Sequence, residues 1–372
     1  MASKTSQIVL GTRALNRATL ARQMLLERVP VGAGEAVSGL VGLQAQNVRP
    51  PYFQLHARLA SFRPAELAAA MEAREVVRMV TLRSTIHTHT AHDALTLRPL
   101  VQAARDREVA QFRKGLGGVD LERLTRRVRA YVEEEPRTMA EIRAELLREW
   151  PGADPLGLSV AATRRLPLVQ VTPRGVWGRS GQVRLTTLER WLGADAVAEA
   201  QERPLDVDGL VLWYLRAFGP ASVKDMQVWA GTTRLREVFE RLRPQLAAFR
   251  DESGVELFDL PDAPRPDEDT PAPPRFLPEF DNLLLSHADR SRVVPPELKG
   301  RSWSGNQAHC TLLVDGFLAG LWRLEEGGGL TVELFGRIGA AQEELVVAEG
   351  ERLLADMAEE GSGSVRFASI RG

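Results

Sequence analysis

The chain has 372 residues, of which 44% are hydrophobic and 26% are charged, and it contains a single cysteine, Cys310. A chain of this length can form several domains, each with its own core. One cysteine excludes an internal disulfide and a cysteine-based zinc site, and we expect Cys310 to be buried. No run of about 18 uninterrupted apolar residues occurs, so we expect no membrane span, no secretion, and a cytoplasmic location.

The formal net charge is only −1, which by itself argues against a nucleic-acid partner. The charge is distributed unevenly, however. Residues 1–150 contain 23 basic and 16 acidic residues, whereas residues 151–372 contain 25 and 33. The basic half also contains the polar motif described below, so the average charge does not exclude a nucleic-acid partner.

One pattern occurs three times along the chain: helices joined by short turns, followed by two strands. In the first copy a helix at residues 64–71 precedes a strand pair within residues 76–90. In the second, which starts at Leu121, Thr138 and Glu141 have the spacing of a helix-capping box. Its strands are predicted at residues 168–172 and 182–188.

The third copy is the clearest. Apolar residues 210–215 predict a helix that ends before Gly219-Pro220, and Ser222 is placed to cap the next helix. A further helix is predicted at residues 232–239. Residues 246–249 and 255–260 are predicted to pair across a turn at residues 251–254.

These patterns predict a mainly helical α+β protein with three tandem winged helix-turn-helix motifs and a small C-terminal β domain. The predicted units are residues 1–115, 116–200 and 201–262. Seven prolines and five acidic residues within residues 259–278 predict a linker at residues 263–278. The β domain then covers residues 279–372, with a helix at residues 340–359 and a last strand at residues 364–370.

The main site candidate is the triplet Gln44-Ala45-Gln46, which is followed by Asn47, Arg49 and a proline pair. Proline ends a helix and favours extended backbone before it, so these polar side chains gather where the chain must turn. On a helix two residues this close would diverge, whereas in an extended or turning segment both carboxamides can point the same way.

Histidines alternate in Ile86-His87-Thr88-His89-Thr90, which places His87 and His89 on one face of a strand. A zinc site is not expected, because no sulfur or paired carboxylate is spaced to complete the metal's ligands. A second candidate is the polar loop at residues 289–305. It carries four cations and an aromatic residue, and a solvated loop and a DNA-contacting hairpin fit it equally well: Arg290, Arg292, Lys299, Arg301 and Trp303.

Three segments together resemble the AlkZ-like winged-helix DNA glycosylases, and the resemblance spans nearly the whole chain. The segments are the glutamine triplet at 44–46, residues 80–88 (Val-Thr-Leu-Arg-Ser-Thr-Ile-His-Thr), and residues 278–287 (Pro-Glu-Phe-Asp-Asn-Leu-Leu-Leu-Ser-His). The resemblance implies a curved, basic DNA-binding face with the paired glutamines, here Gln44 and Gln46, as its catalytic motif. It implies no metal or redox cofactor.

The resemblance also suggests roles for residues around the triplet. It places Arg83, Thr85 and His87 near the site as DNA contacts or as supports for the glutamines. Asp281 and Asn282 belong to the signature, and we expect them to cap or brace the triplet. Asn47 and Arg49 are further candidates for DNA contact.

The implied activity is that of a monofunctional glycosylase acting on double-stranded DNA. It would hydrolyse the glycosidic bond of guanines alkylated at ring nitrogen 7, unhook interstrand crosslinks, and give resistance to a genotoxic natural product. We expect a monomer. Two other functions fit the same motifs: a winged-helix transcription regulator, and a non-catalytic protein that binds damaged DNA or free drug.

Overall fold

The computed structural model describes residues 8–357 and 363–368. Helices account for more of these residues than strands do, so the predicted α+β class, mainly helical, is confirmed. The structure has four consecutive segments. In each of the first three, helices precede an antiparallel strand pair.

The first segment begins with a short strand and ends with two helices that follow its strand pair. Its third helix starts at a proline pair, whose restricted backbone suits the first turn of a helix. The elements are β1 (Val9–Leu10), α1 (Thr12–Arg22), α2 (Ala33–Gly39), β2 (Leu43–Gln44), α3 (Pro50–His56), α4 (Pro64–Glu72), β3 (Val76–Val80), β4 (Ile86–Thr90), α5 (Ala91–Leu100) and α6 (Gln102–Gln111).

The second segment contains the predicted capping box. The Thr138 side chain accepts a hydrogen bond from the Glu141 backbone N–H, and the Glu141 carboxylate accepts one from the Thr138 N–H. The elements are α7 (Leu121–Glu134), α8 (Met139–Glu149), α9 (Pro155–Arg165), β5 (Leu168–Gln170), β6 (Leu185–Thr187), α10 (Leu188–Leu192) and α11 (Ala194–Glu202).

In the third segment Ser222 caps a helix as predicted. The next helix begins at Arg236 rather than at residue 232, because Arg234 has a left-handed φ of 64° that a right-handed helix cannot include. The elements are α12 (Val207–Phe218), α13 (Val223–Ala230), α14 (Arg236–Leu242), β7 (Ala247–Asp251) and β8 (Glu256–Asp259).

The fourth segment is a sheet with one long helix. Its first strand lies inside the stretch predicted as linker, because Arg275, Phe276 and Leu277 pair with a later strand and are buried there. The elements are β9 (Arg275–Leu277), β10 (Trp303–Ser304), β11 (Gln307–Ala308), β12 (Thr311–Val314), β13 (Phe317–Leu324), β14 (Leu330–Leu334), α15 (Ala340–Met357) and β15 (Val365–Ala368). The ends predicted for the last helix and strand, residues 358–359 and 369–370, lie outside the described residues.

The strand pairs of the first two segments form one sheet. β3 pairs with β5 as well as with β4, which gives the strand order β2-β4-β3-β5-β6. The strand pair of the third segment is joined by β1 in the order β1-β7-β8, and the C-terminal sheet has the order β15-β14-β13-β12-β9. β2, which carries the first glutamine of the triplet, is therefore held at the edge of a sheet built from two segments.

Buried apolar side chains connect parts of the chain that are distant in sequence. Side chains from α2, α3 and α4 pack in one core with the C-terminal sheet and α15, including Phe53 against Trp322 at a ring-centroid distance of 5.7 Å. The second and third segments have cores of their own. Leu82, next to the predicted site, packs in the core of the third segment. The site is thus in contact with elements from three parts of the chain.

Candidate active site

The glutamine triplet begins as strand and then turns into α3. Gln44 is paired with His87 across the sheet, and the Ala45 N–H donates to the Ile86 carbonyl at 2.7 Å. The carboxamide oxygen of Gln44 accepts from Arg83 Nη2 at 2.9 Å, and that of Gln46 accepts from the Ile86 N–H at 3.2 Å. Both carboxamides are therefore attached to the segment at residues 83–87, and the two differ in exposure: Gln44 is 4% exposed, whereas Gln46 is open to solvent.

The triplet backbone is held by two buried side chains that the sequence did not single out. Arg78 Nη2 donates to the Ala45 carbonyl at 2.9 Å, and Gln54 Nε2 donates to the Gln44 carbonyl at 3.0 Å. Burial, with a smaller effect of the nearby Arg174 charge, lowers the pKa of Arg78 to about 10. Arg78 is separated from Ala45 by 33 residues, so no local pattern could have revealed this contact.

Arg83 connects the triplet to the third segment. Besides the bond to Gln44, its Nη1 donates to the Trp229 carbonyl near the end of α13 at 2.5 Å. Burial lowers the pKa of Arg83 to about 10, so the guanidinium is still a cation near neutral pH. Gly231 lets the two segments approach closely, because a Cβ there would lie 3.3 Å from the Arg83 Cα and φ is +65°. Arg83 is thus a fixed donor behind Gln44.

His87 is buried beside Arg83. Its Nδ1 lies 3.0 Å from the Thr85 carbonyl, which requires the proton to be on Nδ1, and its Nε2 lies 3.5 Å from Arg83 Nη2. Burial, together with the Arg83 charge, lowers the pKa of His87 well below 6.5. The Thr85 hydroxyl donates to the Leu82 carbonyl at 3.1 Å. His87 is therefore neutral and supports Arg83, rather than facing solvent.

Asp281 and Asn282 lie on the other side of the triplet, and both are buried. Asp281 accepts two hydrogen bonds from Arg58, each at 2.8 Å, and one from the Leu283 N–H at 3.0 Å. Arg58 also donates to the Gln54 carbonyl at 3.0 Å. Because Gln54 in turn donates to the Gln44 carbonyl, the Arg58–Asp281 pair is connected to the triplet through Gln54. Asn282 Nδ2 donates to the carbonyls of residues 40 and 42, directly before the triplet.

Several residues around the triplet have left-handed backbone conformations, which are rare outside glycine. They are Val41 (φ 57°), Arg83 (φ 50°), Ser84 (φ 62°) and Phe280 (φ 60°). Gly42 has φ 82°, and a Cβ there would lie only 2.2 Å from the His89 ring. Such strained conformations persist when the surrounding structure enforces them, and they concentrate at functional sites.

In the loop at residues 289–305, only some of the four cations face solvent. Arg290 lies over the Trp303 ring at 5.6 Å, and Arg301 lies over the Phe335 ring at 4.7 Å. Lys299 and Arg301 are exposed at this loop, which leads into the β10–β11 hairpin. The prediction that Arg292 contacts DNA does not fit the structure. Arg292 is 6% exposed and donates to the Pro220 carbonyl at 2.9 Å, because the chain folds back onto α1 and α13.

Asn47 and Arg49 lie on the solvent side of the triplet. Arg49 lies 5.1 Å from the Trp177 ring, which belongs to the turn between β5 and β6. Asn47 Nδ2 donates to Glu279 Oε1 at 2.9 Å. Glu279 is part of the signature at residues 278–287, but no sequence pattern assigned it a role. Its contact with Asn47 comes from the tertiary structure.

Within residues 8–357 and 363–368, no group of three or more His, Cys, Asp or Glu side chains is arranged to hold a metal ion. His87 and His89 stack at a ring-centroid distance of 5.6 Å, with no third such residue completing a site in that part of the chain. Across the same residues, every helix is too short or too polar to cross a membrane.

The comparisons with known proteins agree with this fold. A family model described as "DNA glycosylase AlkZ-like" matches residues 37–355, and the chain therefore belongs to the AlkZ-like DNA glycosylases. The protein is accordingly a DNA-binding repair enzyme that hydrolyses glycosidic bonds. Among solved structures, the chain is similar to the DNA glycosylase AlkZ of Streptomyces sahachiroi, with a TM-score of 0.77 and 19% identity, covering 97% of this chain and 100% of that one. No curated protein sequence matches it.

Proposed function

We propose that this DNA glycosylase removes guanines alkylated at ring nitrogen 7, including guanines held in interstrand crosslinks, and that Gln44 and Gln46 are its catalytic residues. The observation that carries the proposal is the attachment of both carboxamides to the segment at residues 83–87. One amide is buried and locked by Arg83, and the other faces solvent, where DNA can reach it.

The chemistry suits neutral side chains. Alkylation at nitrogen 7 gives guanine a positive charge, so when the C1′–N9 bond breaks its electron pair neutralises the departing base. The sugar is left as a cation, water adds at C1′, and the released proton passes to solvent. Little acid catalysis is needed. An oriented amide oxygen can hold the water and face the developing positive charge.

The two amides have different environments for these tasks. Gln44 Oε1 accepts one hydrogen bond from Arg83, which fixes the plane of the carboxamide while a second lone pair stays available. Gln46 Oε1 accepts from the Ile86 N–H, and its exposed side chain can meet the water or the sugar. Neither amide changes protonation near neutral pH, so neither can act as a full general base.

A crosslinked guanine is tied to the opposite strand and cannot rotate freely out of the helix, which most glycosylases require. An exposed glutamine in an open site, rather than in a closed base pocket, supports this substrate class. We propose that the enzyme works as a monomer on double-stranded DNA in the cytoplasm, and that it protects against a genotoxic natural product. The basic excess of residues 1–150 supports contact with the DNA backbone.

One assay tests the proposal. Purified protein is incubated with duplexes carrying a single 7-alkylguanine or a crosslink through nitrogen 7. Free base is measured for the first duplex and separation of the two strands for the second, because a guanine excised from a crosslink stays attached to the opposite strand; heat-labile abasic sites are measured for both. We expect cleavage of the glycosidic bond in both duplexes and none in undamaged DNA. Binding without base release would instead indicate a regulator if affinity depends on sequence, or a lesion-binding protein if it depends on the lesion.

A further inference from the structure

The charged side chains that contact the triplet are positive, whereas the proposed reaction develops a positive charge on the sugar. The two amides are neutral, and the buried guanidinium of Arg83 donates to Gln44 from one side. Arg78, also buried, donates to the Ala45 carbonyl. Two cations thus support a site in which the sugar itself becomes cationic. A negative charge close to the open side of the triplet would offset them.

Asp281 does not supply that charge. It is completely buried, and both of its oxygens accept from Arg58, so the pair is neutral as a whole. It faces Arg58 and the interior rather than the exposed Gln46. Its hydrogen bonds are those of a residue that stabilises the surrounding structure.

Glu279 is differently placed. Its Oε1 accepts from Asn47, the residue directly after Gln46, at 2.9 Å, and its Oε2 accepts from the Cys310 thiol at 3.3 Å. Both donors are uncharged. Among residues 8–357 and 363–368, no cationic nitrogen lies within 4.0 Å of the Glu279 carboxylate, so Glu279 forms no ion pair.

The surroundings keep this charge partly out of water. Glu279 is half-buried and lies at the edge of a cavity of about 390 Å³ between the β10–β11 hairpin and the C-terminal sheet, which Cys310 and Trp322 also line. The negative charge of Glu279 affects its neighbour Cys310: burial and the Glu279 carboxylate together raise the pKa of the Cys310 thiol. Phe280, the next residue, has φ 60° and packs its ring against Trp303 at 5.7 Å, which fixes the backbone at this point.

Resting on the proposed function, we propose that Glu279 contributes electrostatically to the reaction: its carboxylate, held by Asn47, the residue after Gln46, stabilises the positive charge that develops on the deoxyribose as the base departs. It does so through space and forms no covalent bond with the sugar. A unit charge several ångströms from another, in a protein-like dielectric, changes a rate by about 10- to 100-fold.

The test uses DNA with a cationic mimic of the reacting sugar. Duplexes carry either a pyrrolidine abasic-site analogue, which is positively charged, or a tetrahydrofuran analogue, which has a similar shape and is neutral. A site that favours the cationic transition state binds the first more tightly. We expect Glu279→Gln, which keeps an oxygen to accept from Asn47, to lower this preference about tenfold or more.

Glu333→Gln is the matched control. Glu333 lines the same cavity from β14 and has no contact with the triplet among the described hydrogen bonds. We expect it to keep the wild-type preference. An unchanged preference in Glu279→Gln, or an equal loss in both variants, would overturn the proposal. Unfolding temperatures of both variants are measured to show that each is folded.

Failure of the Glu279 proposal can be distinguished from failure of the proposed function. Loss of excision in the Gln44→Ala and Gln46→Ala variants supports the catalytic triplet whatever Glu279 does. If those variants excise normally while Glu279→Gln abolishes the preference for the cationic analogue, the charge assignment stands and the amide mechanism fails. If the glutamine variants are inactive and Glu279→Gln binds both analogues as wild type does, only the role of Glu279 is wrong.

Discussion

Gln44 and Gln46 occupy different environments although one residue separates them. The buried carboxamide of Gln44 is oriented by a charged donor, which makes a stronger hydrogen bond than a neutral one. The exposed carboxamide of Gln46 is oriented only by a backbone N–H. Two amides in such different surroundings can divide the work of fixing a water and facing a cation.

Replacing either glutamine by alanine should therefore abolish most excision without weakening DNA binding. Each variant loses an oriented dipole that acts on the transition state but no phosphate contact, and losses of this kind reduce rates by about 100- to 1,000-fold. Single-turnover excision and DNA affinity are measured side by side. Gln201→Ala, an exposed glutamine on α11, is the control. Wild-type turnover in either triplet variant would rule out the catalytic assignment.

Arg83 should act through the position of Gln44. Arg83→Lys keeps the charge but cannot reach the Gln44 oxygen and the Trp229 carbonyl with two nitrogens in a fixed plane. A small displacement of a reacting group costs up to about 100-fold in rate. We expect the maximal single-turnover rate to fall by that order while affinity for the damaged duplex stays near wild type.

The control for this variant is Arg74→Lys, which alters an exposed arginine that donates to the Trp191 carbonyl outside the site. Equal effects of the two substitutions would show that Arg83 only stabilises the fold. A large loss of affinity with an unchanged maximal rate would show that Arg83 binds DNA directly.

At the scale of elements, the loop before the β10–β11 hairpin brings together Arg290, Lys299 and Arg301. Two of these side chains lie over aromatic rings, at 5.6 and 4.7 Å, so their positions are restrained before any DNA is bound. Arg292 belongs to the same loop but points inward, where its guanidinium joins α1 to the turn before α13. Of the four cations in this loop, Arg292 is thus structural, and the other three are candidate phosphate contacts.

Replacing those three residues together by glutamine should flatten the salt dependence of DNA binding. Each lost phosphate contact reduces the slope of log affinity against log salt by about 0.9 on duplex DNA, so up to about 3 in total. Arg323, Arg337 and Arg366, exposed on the same fourth segment, form a matched triple control. A slope equal to that of wild type would remove the loop from the interface.

At the scale of the whole molecule, buried neutral histidines link stability to pH. Burial lowers the pKa of His87 well below 6.5, and it lowers those of His89 and His287 to about 3. In the unfolded chain these side chains take up protons below about pH 6.5. The folded state does not, so acidification favours unfolding.

Excision should therefore vary little between about pH 6 and 8, because the amides do not titrate and the buried histidines stay neutral. Stability should fall as the pH drops below about 6.5, by up to roughly 1.4 kcal/mol per pH unit for each of these histidines. Single-turnover rates and denaturant unfolding across this range are the measurements. A steep change in rate between pH 6 and 8, abolished by His87→Ala but not by the glutamine variants, would contradict the amide mechanism.

Much of the fold could be predicted because its signals are local. The box formed by Thr138 and Glu141, the cap at Ser222 and the hairpin around residues 251–254 depend on residues a few positions apart. The triplet could be recognised for a similar reason, since a polar cluster before two prolines is visible in a short stretch of chain. Its attachment to residues 83–87 agrees with the extended or turning backbone expected from the spacing of the glutamines.

The surroundings of the triplet were decided by tertiary structure. The bond between Arg58 and Asp281 joins residues 223 positions apart, and the bond between Asn47 and Glu279 spans 232 positions. The inward position of Arg292 depends in the same way on Thr19, 273 residues earlier. Local propensity carries no information about such contacts. The sequence by itself therefore determined most of the elements and pointed to the glutamine triplet as the candidate site, whereas packing of distant segments decided which charges around the triplet are buried, which are paired, and which face solvent.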